Sequence, residues 1–208
     1  MIEEDFLLPL YEPLLNGPRR VAVDIGANVG DWTHWLSQRF DHVIAVEPDP
    51  RAVAVLRPCL PRNATLLQAA CGNSGGDVDF FVRDNPLQSS LLPEHPIGGG
   101  DQREVSVVEV VKRPCLSLDQ ILTAARLLTG HAEIDFVKLD IEGAEHLALQ
   151  SATPELFRNT RWLIEIHDNR VPVGLAVQRL GYETLRVVRH PAPNAHPEHL
   201  WILANESR

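Results

Sequence analysis

Three apolar runs, VAVDI (21–25), HVIAVE (42–47) and ATLLQAAC (64–71), constrain this chain more than any other feature of it. None alternates polar with apolar residues, so each reads as a strand covered on both faces. Helical segments separate them. In DWTHWLSQRF, Trp32, Trp35 and Leu36 recur at helical spacing, and PDPRAVAVLRPCL is a helix that Pro58 and Pro61 are expected to shorten. Strand, helix, strand, helix, strand in one short stretch predicts a doubly wound, Rossmann-like α/β domain on a mostly parallel sheet.

The rest of the chain fits that plan with one irregular stretch. DVDFFV (77–82) alternates, as a half-exposed strand would, and VSVVEVV (105–111) is another strand. Between them, residues 83–104 carry three prolines and the triplet Gly98-Gly99-Gly100, which predicts a flexible loop or lid. SLDQILTAARLLTG (117–130) is a helix with a Ser117–Gln120 capping box and a Gly130 stop. DFVKLD (135–140) and RWLIEIH (161–167) are core strands. Thr153-Pro154 and PVGLAVQRLG mark short helices, and YETLRVV and LWILAN are two adjacent strands at a sheet edge.

The length of 208 residues suits one domain, 19–208, behind a short leader, 1–18, that Gly17-Pro18 closes. The leader is expected to set about one helical turn against the domain. It starts acidic and lacks the basic start and long apolar run of a secretion signal, and no stretch approaches the ~18 apolar residues of a membrane span. Cys59, Cys71 and Cys115 are odd in number and form no CxxC pair, against a disulfide framework. These features predict a cytoplasmic setting with no membrane partner. The net charge of −9, with Lys112 and Lys138 the only lysines, disfavours nucleic acid.

VDIGANVGDW occupies the place of a first strand-to-helix turn, at the carboxyl edge of a parallel sheet where cofactors bind. Gly26 and Gly30 permit the turn and close helix packing. A dinucleotide site would want a glycine where Asn28 stands, so that backbone could approach a pyrophosphate. Asp24 would repel a diphosphate but attract a cationic amino group. Glu47, 21 residues beyond Gly26, can accept bonds from ribose hydroxyls. Together these favour S-adenosylmethionine over a nicotinamide cofactor. Ala70 and Cys71 end the third strand, where an adenine could lie over small side chains.

In FVKLDIEGAEHLALQ a buried strand ends in charge. Lys138 and Asp140 share a strand face, Glu142 continues onto the loop, and Glu145 enters the first helical turn, where it could also act as a simple cap. His167 ends the next strand with Glu165 two residues before it, and Asp168 and Asn169 add polar groups. A carboxylate or the histidine could take a proton from an acceptor hydroxyl, or Asp140, Glu142 and His167 could hold Mg2+ to acidify it. The stretch after this strand reads DIEG instead of the aromatic-bearing NPPY or DPPY of base methylation.

With VDIGANVG, VEPDP, DFVKLDIEGAEHLAL and LIEIH the chain resembles the FkbM-type S-adenosylmethionine-dependent methyltransferases, from about Val21 to Trp201. SSL at Ser89–Leu91 and SLDQIL are similar to the family's middle region. The resemblance implies a seven-stranded sheet of order 3-2-1-4-5-7-6 with an antiparallel last strand. It implies O-methylation of a hydroxyl on a sugar, glycan or natural product, and no nucleic acid partner. It places Asp24, Gly26, Asn28, Gly30 and Glu47 at the donor, Asp140, Glu142, Glu145 and His167 at the acceptor or metal, and Ser89 and Ser90 near the methionine end. The acceptor pocket is then expected to come from 83–104 and 168–197. A nicotinamide oxidoreductase and a non-catalytic protein with this fold are the alternatives.

Overall fold

The computed structural model describes residues 11, 15–73, 75–94, 105–157, 159–167, 170–181, 186–189 and 198–202. In chain order these form β1 (Val21–Ile25), α1 (Asp31–Ser37), β2 (His42–Val46), α2 (Pro50–Cys59), β3 (Ala64–Leu67), β4 (Ala70–Cys71), β5 (Gly76–Arg83), β6 (Val107–Leu116), α3 (Leu118–Thr129), β7 (Phe136–Leu139), α4 (Glu145–Gln150), α5 (Pro154–Phe157), β8 (Arg161–Ile166), α6 (Arg170–Arg179), β9 (Arg186–Arg189) and β10 (Glu198–Ile202). Seven strands make one sheet in the order β3-β2-β1-β7-β8-β10-β9. Pairs up to β8 are parallel, and β10 runs antiparallel to both β8 and β9.

The expectation of a single sheet needs correction. A second, three-stranded sheet of order β4-β6-β5 stands beside the first. ATLLQAAC is two strands, because after Leu67 the chain turns, with Ala69 N–H donating to Leu67 O, and leaves β2. Ala70 and Cys71 pair instead with Cys115 and Leu116 of β6. β5 and β6 form a long antiparallel pair, which explains the alternation of DVDFFV. Pro58 lies inside α2 and does not shorten it. It sits in the last turn on the exposed side, where a missing backbone donor costs little. The α3 ends agree with the sequence, with a complete Ser117–Gln120 capping box and a left-handed Gly130.

The core strands have two unlike faces. Val21, Val23 and Ile25 of β1, Val137 and Leu139 of β7, and Trp162, Ile164 and Ile166 of β8 pack on α3, α4, α5 and α6. The opposite face begins apolar, with Ala22, Phe136 and Leu163 against Trp35, Leu36, Phe40, Tyr11 and Leu15. Two residues further along the same face the side chains turn polar, since strand side chains alternate. Asp24 follows Ala22, Lys138 and Asp140 follow Phe136, and Glu165 and His167 follow Leu163. Of the leader, Tyr11 and Leu15 to Pro18 are described, and Tyr11 and Leu15 are buried. No helix among the described residues is long and apolar enough to cross a membrane.

Candidate active site

At the carboxyl ends of β1 and β7 a cavity is lined by Gly26, Ala27, Asn28, Val29, Asp31 and Trp32 on one side. Glu47, Lys138, Asp140 and Glu142 line it nearby, and Ala69–Cys71, Phe80, Leu87, Ser89 and Leu91 close the rest. Its first support is the glycine turn. Gly26 and Ala27 N–H donate to Val46 O, which binds the turn to the end of β2. Gly26 has φ +84°, and a Cβ there would lie 1.7 Å from Asp140 O, so only glycine lets the β1 turn meet the exit of β7. Gly30 does not line the cavity. It starts α1 at φ +99°, where a Cβ would meet Leu56 Cδ1 at 2.4 Å.

Asn28 adopts φ +48°, which asparagine tolerates. Its N–H donates to Glu47 Oε2 at 2.7 Å, and Asp49 N–H donates to Glu47 Oε1 at 2.7 Å. Glu47 thus ties the β1 and β2 turns together at the cavity wall. Burial raises its carboxyl to about 7 against the two backbone hydrogen bonds. The buried Oδ1 of Asn28 has no hydrogen-bond partner among the described residues.

Asp24 is placed differently from the expectation. It is fully buried and lies behind the cavity wall. Its Oδ2 accepts from Thr33 Oγ1 at 2.7 Å, and its Oδ1 is 3.9 Å from Lys138 Nζ. Burial pushes this carboxyl up, against Lys138 and Thr33. The β1–β7 register sets Asp24 beside Lys138, and that pairing turns it toward α1 rather than toward the cavity.

Lys138 Nζ sits 2.8 Å from Asp140 Oδ2 and 5.7 Å from the centre of the Trp32 ring. Burial works against its charge, but Asp140, Asp24 and Glu165 outweigh it and raise the ammonium. Burial likewise opposes ionisation of Asp140, yet Lys138 and His167 bring it down to about 2. Asp140 Oδ1 is buried, 3.8 Å from His167 Nε2. Glu165 answers this arrangement. Burial and the Asp140 charge push it well above the usual carboxylate range.

Glu145 is fully buried and outside the cavity lining. Its Oε1 accepts from Ile141 N–H at 2.9 Å and Gly143 N–H at 3.2 Å, and so holds the turn that carries Glu142. Glu142 has φ +55°, a strained value for this residue type, followed by Gly143 at +95°. His167 joins these groups. Its Nδ1 is 3.3 Å from Glu145 Oε1, and its Nε2 is 3.4 Å from Glu142 Oε2, 3.8 Å from Asp140 Oδ1 and 3.8 Å from Glu165 Oε1. Burial disfavours the imidazolium, but Glu145, Glu142 and Asp140 prevail and raise it to about 11. A histidine already protonated at neutral pH cannot accept a proton, which corrects the expectation of a neutral shuttle.

Among the described residues, Asp140, Glu165 and His167 can bring one ligand atom each within 4.8 Å, and Glu142 falls outside that group. The set fits Mg2+ poorly. That ion wants octahedral oxygen ligation, while here one of the three groups is an imidazole and Lys138 already neutralises Asp140.

Ser89 reaches the cavity, but its hydroxyl is engaged by Arg83 N–H at 3.1 Å and Arg51 Nη2 at 3.2 Å. Ser90 is buried outside the lining and bridges Phe81. Ala70 and Cys71 line the cavity as expected, and burial raises the Cys71 thiol, which makes it packing rather than nucleophile. Asp168, Asn169 and residues 95–104, 182–185 and 190–197 lie outside the described residues.

Sequence reasoning missed Trp32, Phe80, Leu87, Leu91, Arg51 and Arg83. Trp32 had a usable signal, since the first turn of a helix after a glycine turn faces the crevice. Phe80, Leu87 and Leu91 reach the cavity, and Arg51 and Arg83 brace the segment behind it, through pairings that no local pattern announces.

Residues 24–191 match the family described as the methyltransferase FkbM domain. No curated protein sequence matches the chain. Among solved structures, the precorrin-6y C5,15-methyltransferase of Geobacter metallireducens superposes with a TM-score of 0.52 at 12% identity, over 97% of this chain and 87% of that one. A SAM-dependent methyltransferase of Leishmania major gives 0.51 at 9% identity, over 96% and 72%. At these identities the two structures speak for the fold alone.

Proposed function

The chain belongs to the FkbM methyltransferase family, and on that premise we propose that it transfers a methyl group to a hydroxyl of a sugar, glycan or natural product. The donor, S-adenosylmethionine, supplies a methyl group on a positively charged sulfur. The cavity suits it. Glu47 in the lining can serve as an acceptor for ribose hydroxyls, and Ala69–Cys71, Phe80, Leu87 and Leu91 supply apolar lining that suits a purine.

The observation that carries the reading is Asp140. It lines the cavity, and Lys138 Nζ at 2.8 Å together with His167 keeps it ionised. In this role the Asp140 carboxylate accepts the acceptor's O–H and aims the oxygen lone pair at the methyl group. As the C–O bond forms, the alcohol proton becomes strongly acidic, so a carboxylate of low basicity is sufficient to take it. The proton passes to Asp140 and the carbon–sulfur bond electrons stay with sulfur. Glu145 and His167 act from behind, by fixing the turn that presents Asp140 and Glu142. Asp24 acts through Lys138 rather than by touching the donor.

Trp32 beside carboxylate acceptors supports a polyol, whose C–H face packs on an aromatic ring while its hydroxyls donate outward. Asp31, Glu47, Asp140 and Glu142 in the lining disfavour a phosphate-bearing acceptor. The test is methyl transfer from labelled donor into fractionated neutral saccharides and natural products, analysed by mass. Asp140→Asn should abolish the product and keep binding of S-adenosylhomocysteine. A variant that still methylates at the wild-type rate would remove the proposed role of Asp140.

A further inference from the structure

Arg83 ends β5 with its side chain 1% exposed. Its Nη1 donates to Gln88 O at 2.9 Å, and its Nη2 donates to Leu92 O at 2.7 Å and Pro93 O at 3.3 Å. Its backbone N–H donates to Ser89 Oγ at 3.1 Å. Among the described residues this guanidinium has no carboxylate within ion-pair distance. At hydrogen-bond distance carbonyls compensate this buried charge, with the Glu142 carboxylate acting on it from further away, which is a costly way to fill an interior. Arginine is suited to it, because a planar fork can hold several carbonyls at fixed angles where a lysine offers one point charge.

The segment held in this way carries Leu87 and Leu91. Leu87 is 61% exposed yet lines the cavity, so it presents apolar surface that only a ligand would cover. A second arginine links that segment to the ribose side. Arg51 Nη2 donates to Asp49 Oδ2 at 2.9 Å, Arg83 O at 2.8 Å and Ser89 Oγ at 3.2 Å. Asp49 in turn donates its N–H to Glu47. One chain of hydrogen bonds therefore runs from the ribose acceptor through Asp49, Arg51 and Ser89 to Arg83 and residues 88–93.

We propose that Arg83, with Arg51 as its brace, is a positioning residue for donor binding that sets Leu87 and Leu91 against the purine. This rests on the reading of the cavity as the donor site. It assigns donor affinity partly to a buried arginine that touches no ligand.

Calorimetry with two ligands tests it without any acceptor. S-adenosylhomocysteine has the whole donor frame, and 5′-methylthioadenosine lacks the amino-acid part. Arg83→Lys should weaken both by the same factor, about tenfold, and Leu87→Ala should weaken both about fivefold. The double variant should lose little beyond Arg83→Lys alone, since displacing the wall already removes the leucine contact. A purely structural defect would lower stability but leave the two losses multiplicative. Should Arg83→Lys fail to fold, Arg51→Gln takes its place in the cycle, as that side chain is 39% exposed. Multiplicative losses, or wild-type affinity in either single variant, would overturn the proposal while the donor site stands. A wild-type protein that binds neither ligand would overturn the donor site and this proposal together.

Discussion

Glu47, Lys138, Asp140 and Glu142 form one wall of the cavity, and Phe80, Leu87 and Leu91 form the other. The first is built at the ends of parallel strands, from residues that follow apolar ones on the same strand face. The second is built by the separate three-stranded sheet and a segment hung from it. On the charged wall almost every side chain answers another: Lys138 holds Asp140, Glu145 holds the turn under Glu142, and His167 sits among four carboxylates. On the apolar wall the ligand-facing side chains are hydrocarbon, and their segment is fixed from outside by Arg83 and Arg51. The charged wall is placed by short-range strand geometry, and the apolar wall by long-range packing.

Four measurements press on that division. The largest effect belongs to Asp140→Asn, which should cut methyl transfer by about a hundredfold or more while S-adenosylhomocysteine affinity stays within about threefold. Parallel loss of both would mean that the charged wall also carries donor affinity. Next, Glu47→Gln should weaken S-adenosylhomocysteine by about thirtyfold in calorimetry, because a charged acceptor of ribose hydroxyls is lost where the two walls meet. Leu91→Ala should weaken it about fivefold and leave the turnover of saturated enzyme near wild type, and a fall in turnover would show that the apolar wall positions the methyl group too.

The smallest effect is in stability against pH. The raised value of His167 means that its charged contacts contribute fully below about pH 6.5 and are lost as pH rises through about 11. The melting-temperature gap between wild type and His167→Gln should therefore narrow from about pH 7 to about pH 10, and a constant gap would remove the imidazolium from the centre of the charged wall.

The same division governed what the sequence disclosed. Residues 136–140 and 161–167 were readable because burial and charge alternate within single strands, and the Ser117 and Gly130 helix ends because capping is local. The break of ATLLQAAC after Leu67 left no mark, since neither glycine nor proline stands there, and the pairing of Ala70 with Cys115 decides it. Asp24 was correctly placed at a strand end, but its side was set by register with Lys138 across the sheet. Arg83 looks like any loop arginine until Gln88, Leu92 and Pro93 are folded over it.

β10 lies between β8 and β9 in space although it follows both in the chain, and its Glu198 pairs with Ile166, one residue before His167. While the ribosome is still at work on residues 198–202, β8 has a bare hydrogen-bonding edge and its charged end lacks a neighbour. During that interval the exposed edge is where a chaperone would bind or where two nascent chains would mispair.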